Sequence, residues 1–213
     1  MTRPIIILGA GGHGKVLLST LLAAGEKVLG LTDSNHDKHG GEVLGISVLG
    51  DDTVILQHQP QDIRLALGVG SVRVTAARSL VFEKFNSLGY DFPCVIHPSA
   101  TIAGDVTIDA GAQIMAATVV QPGTKIRRNV IVNTGAIIDH DCCVMDHAHL
   151  APRVVLSGSV KVGEGAMIGT GAVVIQGILI GRNTCIGAGA CVVQDVEDGH
   201  TVAGVPARRV VHE

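Results

Sequence analysis

From Ile96 onward the hydrophobic pattern of the chain repeats every six residues. Each sixth position through Val192 is Ile, Val or Leu, seventeen in succession, from Ile96, Ile102 and Ile108 to Ile180, Ile186 and Val192. The residue two before each is Ala, Val, Thr, Cys or Ile and never charged, as at Ala112, Thr118, Ala136, Cys142 and Ala148. This period fits neither the turn of an α-helix nor the alternation of a lone strand. One large and one small inward side chain per unit describe a short flat strand followed by a corner. Three units close a triangular coil, and coils stacked strand on strand sit ~4.8 Å apart. The prediction is a parallel β-helix within residues 93–213, with unbroken hexads and therefore no inserted loop to carry a site.

Residues 1–92 lack this period and read as alternating strands and helices, a separate small α/β domain. Pro4 to Leu8 has the composition of a buried parallel strand. It runs into Gly9-Ala10-Gly11-Gly12-His13-Gly14, and a helix is predicted from Lys15 to Ala24. A second strand, Lys27 to Leu31, ends at Thr32-Asp33-Ser34. The Gly, His and charges of Asp37 to Gly50 predict mostly loop. A third strand, Ile63 to Val69, ends in Gly68-Val69-Gly70-Ser71, and a helix follows over Val72 to Leu88, closed by Gly89.

Gly9, Gly11 and Gly14 form G-x-G-x-x-G after a strand and before a helix, with Asp33 further on. Glycines let backbone approach phosphates, and a helix N-terminus offers them free N–H groups. Alone, the motif points to NAD. The unit stops after three predicted strands, however, and the next segment is the β-helix, so a second mononucleotide half is missing. A nucleotide diphosphate gripped here and reaching the β-helix fits better, and glycines that merely pack helix on strand are the plain alternative. His13 is more than a tight turn needs, and it offers a donor to a phosphate or to a base.

Composition narrows the classes. Aliphatics abound, Trp is absent, and there are one Tyr, three Phe and 28 Gly, as suits an aliphatic ladder with small corners. A net charge of −3 argues against nucleic acid or an anionic membrane as partner. Ile5 to Leu8 is too short for a membrane span or a signal segment, so a cytoplasmic location is expected. The five cysteines show no CxxC spacing; Cys94 and Cys142 fall on the small inward position, which predicts buried, reduced thiols.

One coil is chemically odd. Asn133 to Leu150 holds His140, His147 and His149 together with Asp139, Asp141 and Asp146, and a corner requires no histidine. His140, between Asp139 and Asp141, has the surroundings of a general base: a carboxylate fixes the tautomer and leaves one nitrogen to accept a proton. His147 and His149 are open to a second reading as metal ligands. Eighteen residues beyond His140 is Gly158, directly above it in the next coil. A glycine there leaves room beside the imidazole and bares an N–H for an oxyanion.

These residues together resemble the bacterial nucleotide-sugar acetyltransferases, of the sialic-acid O-acetyltransferase and bacillosamine-pathway 4-amino-sugar N-acetyltransferase type. The resemblance rests on Gly9-Ala10-Gly11-Gly12-His13-Gly14-Lys15, on Asn133 through Cys142, and on the closing Gly204-Val205-Pro206-Ala207-Arg208. It implies a left-handed β-helix, a homotrimer, and acetyl-CoA as co-substrate in the groove between adjacent β-helices, with no metal. It implies His140 as base and Asp141 as its orienting acid, where several relatives carry Glu. Gly11, Gly12, His13, Asp33, Ser34, Gly68 and Asn133 would line the nucleotide-sugar site, Ser34 standing where one relative has an acid. His149, Gly158, Thr170 and Ala188 would line the acetyl-CoA site, the last two by position alone. The implied reaction is N-acetylation of the 4-amino group of a nucleotide-linked 4-amino-4,6-dideoxy sugar, with UDP as the expected nucleotide. A sugar O-acetyltransferase and a metal protein like the γ-class carbonic anhydrases are the alternatives.

Overall fold

The computed structural model describes residues 3–70 and 76–210. The N-terminal unit is a twisted sheet with β1 (Ile5–Leu8) at its centre. α1 (Gly12–Ala23) follows, then β2 (Val28–Thr32), a hairpin of β3 (Glu42–Val43) and β4 (Ile46–Gly50), β5 (Arg64–Leu67) and α2 (Ala76–Ser87). The order is β3-β4-β2-β1-β5, all parallel except the β3–β4 pair. Both faces of β1 are buried: Ile5 and Ile7 pack with Leu17, Leu18 and Leu21 of α1, while Ile6 and Leu8 pack with Phe82 and Phe85 of α2. A run of four aliphatics is what such a strand needs.

Two expectations change, and a third falls partly outside the described residues. The segment read as loop contributes two strands and a short 3₁₀ turn, His36–Lys38. Its alternating Ile46, Val48 and Gly50 are too short a run to stand out among glycines and charges. α1 begins inside the glycine run, so His13 is a helical residue and not part of a turn. The second helix is described from Ala76; the residues 72–75 expected to open it lie outside the described ones.

From Val95–Ile96 to Cys191–Val192 the chain forms seventeen two-residue parallel strands in a left-handed β-helix. Each hexad residue pairs with the one eighteen positions on, as Val120 with Ile138 and Ile138 with Leu156. The large and small inward positions fill one continuous core from Ala112 to Val202. Burying each aliphatic stabilises the coil by roughly 1.5–3 kcal/mol. The first coil is open at its end, which leaves Ile96 and Cys94 exposed, whereas Cys142 is buried as expected. All five cysteines are free thiols. From Gly111 to Gly189 the second residue of each corner has positive φ, at Gly123, Asn129, Gly135, Asp141, His147 and Ser159 among others. Glycine, Asn and Asp tolerate that conformation best.

The prism has three unlike faces. The first bears Val95, Gln113, Ile131, His149 and Met167, and the N-terminal unit docks on it: Val95 and Met115 share a buried cluster with α1. The second bears Val119, Ile137, Val155 and Val173, an aliphatic ladder with Ile137 and Val173 exposed. The third bears Thr107, Lys125, Cys143, Lys161 and Leu179.

Candidate active site

The strand order changes direction between β1 and β5, and a crevice opens beyond the carboxyl ends of the strands at such a point. Here it is a cavity of about 840 Å³, lined from the N-terminal unit by Gly11, Gly12, His13, Asp33, Ser34, Asp52 and Gly68. The β-helix adds Asn133, Thr134, His149 and Pro152.

The glycines divide by task. A Cβ on Gly14 would lie 2.0 Å from the Gly9 carbonyl oxygen, and one on Gly68 would lie 2.5 Å from the same atom, so these two pack backbone on backbone. A Cβ on Gly11 or Gly12 would meet nothing within 4 Å. Those two keep the start of α1 bare, and no side chain caps it. Its free N–H groups and the helix dipole favour an anion there. Arg78 adds to this from beneath. Its buried guanidinium donates to the Leu67 and Val69 carbonyls at 2.9 and 2.8 Å, Nε is unpaired, and burial lowers its pKa to about 9, still charged at neutral pH.

His13 Nε2–H donates to Gln113 Oε1 at 2.8 Å, and Gln113 Nε2 donates to the Leu67 carbonyl at 2.8 Å. Burial, with the Arg78 charge second, lowers the His13 pKa to about 4 against the opposing effect of the Gln113 bond. The ring is therefore neutral, with Nδ1 left as an acceptor. The ring therefore offers an acceptor, not a charged donor, to the cavity, and its Nε2 bond ties the helix to the β-helix. Asp33 accepts from Ala10 N–H at 2.9 Å, Lys38 Nζ at 2.7 Å and Asn35 N–H at 2.9 Å. Its partial burial alone would raise the carboxyl pKa; these three bonds outweigh that and hold it below the usual value.

His140 and Asp141 lie elsewhere, at the corner between the aliphatic ladder and the third face. His140 Nδ1–H donates to Asp141 Oδ2 at 2.9 Å, and the His140 backbone N–H donates to Asp139 Oδ1 at 2.8 Å. The Asp141 bond, most of all, raises the imidazole pKa; slight desolvation opposes it, and the charges of Asp139 and Asp141 add to it. A Cβ on Gly158 would sit 2.5 Å from both Cε1 and Nε2 of His140, so only glycine admits the ring in this pose. On the other side, a Cβ on Gly123 would meet Asp141 Oδ1 at 2.4 Å.

Thr170 and Ala188 continue the edge that Thr134 and Pro152 begin, where the docking face meets the ladder. The predicted residues thus fall on two edges flanking the aliphatic face. Asn133, Thr170, Ala188 and the cavity lie on one side, with His149 inside the cavity; His140, Asp141 and Gly158 lie on the other. His147 does not belong to either group. It is buried under Phe82 at 5.8 Å, accepts from Asn129 Nδ2 at 3.0 Å and reaches Glu83 at 3.5 Å, docking α2. Among the described residues no cluster of three or more His, Cys, Asp or Glu is arranged to hold a metal. Gln113, Arg78, Gly123 and Asp52 escaped sequence reasoning; only Gln113 carried a signal, a long polar residue at an outward strand position.

Comparison with known proteins joins these observations. Residues 4–85 match the PglD N-terminal domain, and residues 159–194 match the bacterial transferase hexapeptide family, six repeats. The acetyltransferase domain of PglB from Neisseria gonorrhoeae, solved with acetyl coenzyme A, is 36% identical at a TM-score of 0.93, covering 99% of this chain and 100% of that one. A histidine-to-alanine variant of GDP-perosamine N-acetyl transferase from Caulobacter crescentus, solved with CoA and GDP-perosamine, is 36% identical at a TM-score of 0.93, covering 100% and 99%. The GDP-perosamine N-acetyltransferase of Escherichia coli O157:H7 is 28% identical over 96% of this chain and 95% of its own length. With full-length likeness in both the glycine-loop unit and the β-helix, the chain belongs to the bacterial nucleotide-sugar acetyltransferase family and is an acetyl-CoA-dependent acetyltransferase.

Proposed function

We propose that the protein transfers acetyl from acetyl-CoA to the 4-amino group of a nucleoside-diphosphate 4-amino-4,6-dideoxy sugar, with His140 as general base. Residues 1–92 would hold the nucleotide sugar and 93–213 the acetyl-CoA. The observation that carries this is the pairing of an anion-ready cavity with a separately held His–Asp dyad.

The two edges come together in a cyclic trimer. Three prisms that turn their aliphatic ladders toward a common axis bring the cavity edge of each against the dyad edge of the next. The exposed Ile137 and Val173 favour burial on such an axis. The groove between neighbours would then be walled by Thr170 and Ala188 of one copy and Gly158 of the other, as an acetyl-CoA site requires. No helix among the described residues is long and apolar enough to cross a membrane.

In this arrangement the sugar amine attacks the thioester carbonyl, and His140 Nε2 takes the proton that the amine loses. Gly158 N–H steadies the oxyanion, and the imidazolium returns the proton as CoA leaves as thiol. No covalent enzyme intermediate is needed. The family resemblance suggests UDP as nucleotide, whereas two of the relatives are named for GDP-perosamine. The test is thiol release with UDP-, GDP- and dTDP-linked 4-amino sugars and with free sialic acid. Turnover of a nucleotide amino sugar, cut about 10²–10⁴-fold in kcat by His140→Ala with acetyl-CoA affinity intact, is expected. Turnover of sialic acid alone, or wild-type kcat in that variant, would overturn the reading.

A further inference from the structure

The cavity holds one acidic group without a task so far. Asp52 follows β4 and lines the cavity. Its Oδ1 accepts the hydroxyl of the buried Thr32 at 2.5 Å, which fixes the orientation of the group. Among the described residues no Lys, Arg or His forms an ion pair with it; the nearby Lys38 pairs with Asp33. A carboxylate without a cation, in a cavity that receives an anionic diphosphate, opposes binding unless the ligand brings it N–H or O–H donors.

The sheet order identifies the part of the ligand that meets it. Along the carboxyl edge the strands run β5, β1, β2, β4. His149 lies beside Asn133 and beside His13, ring centroids 6.4 Å apart, and His13 packs on Gly70 just beyond β5, so the sugar belongs at the β5 and β1 end, with the diphosphate at the start of α1. Asp33 closes β2, where a ribose sits in mononucleotide folds of this kind. The end of β4 is one strand further out, and there the base falls. Resting on the nucleotide-sugar reading above, we propose that Asp52 reads the base and that the base is guanine. Guanine N1–H and its 2-amino group are adjacent donors that one carboxylate accepts together. Uracil and thymine set a single N–H between two carbonyl oxygens, and adenine sets its amino group beside a ring-nitrogen acceptor. Each of these turns an acceptor toward a carboxylate oxygen, so the same group that accepts guanine rejects the others.

The test measures binding of GDP, IDP and UDP to the full-length protein and to Asp52→Asn. Asn keeps the Thr32 bond through Oδ1 and loses the free acceptor; inosine lacks the 2-amino group. The wild type is expected to bind GDP about 10- to 100-fold more tightly than IDP or UDP. In Asp52→Asn, GDP should fall to the level of IDP while UDP holds or improves, with acetyl-CoA affinity unchanged. Equal affinity of the wild type for GDP and UDP, or an equal loss of all three nucleotides in the variant, would overturn the proposal. The second result is what a ribose contact or a merely structural carboxylate produces. If Asp52→Asn fails to fold, the wild-type preference for GDP over IDP decides. Free-nucleotide binding is independent of transfer, so a guanine preference with no acetylation of any amino sugar would sink the enzymatic reading and spare this one.

Discussion

His140 and Asp141 are the two residues of a single corner, and the corner's backbone dictates how they meet. Asp141 takes the positive-φ position, φ 59°, which Asp tolerates better than a branched or bulky residue. From there its carboxylate turns back on His140 Nδ1 over the space that Gly123 leaves open. The shorter acid reaches the imidazole because it sits at that corner, so the methylene by which it differs from Glu costs no contact. As the proposed base His140 would act only when neutral, and the Asp141 hydrogen bond raises its pKa. In the wild type, kcat/KM therefore rises with pH through a pKa above the ordinary imidazole value. Asp141→Asn removes the largest cause of that shift, so the limb should move to lower pH while the plateau falls, because the ring loses both basicity and its fixed tautomer. A pH–rate profile checks this. A limb that stays in place would mean that another group titrates.

At the scale of elements, the β-helix was legible because one residue in six cannot vary without exposing or overfilling the core. The hexads reported the scaffold, the inward positions and the positive-φ corners. They said nothing of which face meets what, since outward residues obey no packing rule. Gln113 and His149 look alike in the sequence and both meet the N-terminal unit, whereas His140 stands on another edge. The histidine cluster, read as one site, is divided by the turn of the coil into a docking residue, His147, a cavity residue, His149, and the proposed base, His140. In the N-terminal unit, β3 and β4 were missed because two- and five-residue strands amid glycines carry too little pattern, and Asp52 was missed with them. The outward ladder of Val119, Ile137, Val155 and Val173 yields a prediction at this scale. Ile137→Lys should leave the monomer folded, since the position is exposed, yet abolish assembly and with it activity. Sedimentation and thiol release check the two together; a fully active monomer would contradict the role given to this face.

For the whole molecule, the proposed trimer means that no single chain contains a complete site. There the acceptor would lie in the cavity of one copy, and the base would come from the corner of its neighbour. Complementation between two dead variants tests this most directly. His140→Ala removes the base and keeps the cavity. Gly11→Glu sets a charge where the diphosphate is proposed to bind, with open space around its Cβ and no positive φ to strain it. Each homotrimer should be inactive. In randomly mixed trimers from equal amounts, one neighbour pair in four joins an intact base to an intact cavity, so about one quarter of wild-type activity should return. Mixed trimers, verified by two affinity tags, that remain as inactive as either parent would contradict the account, because the base and the acceptor would then belong to one chain.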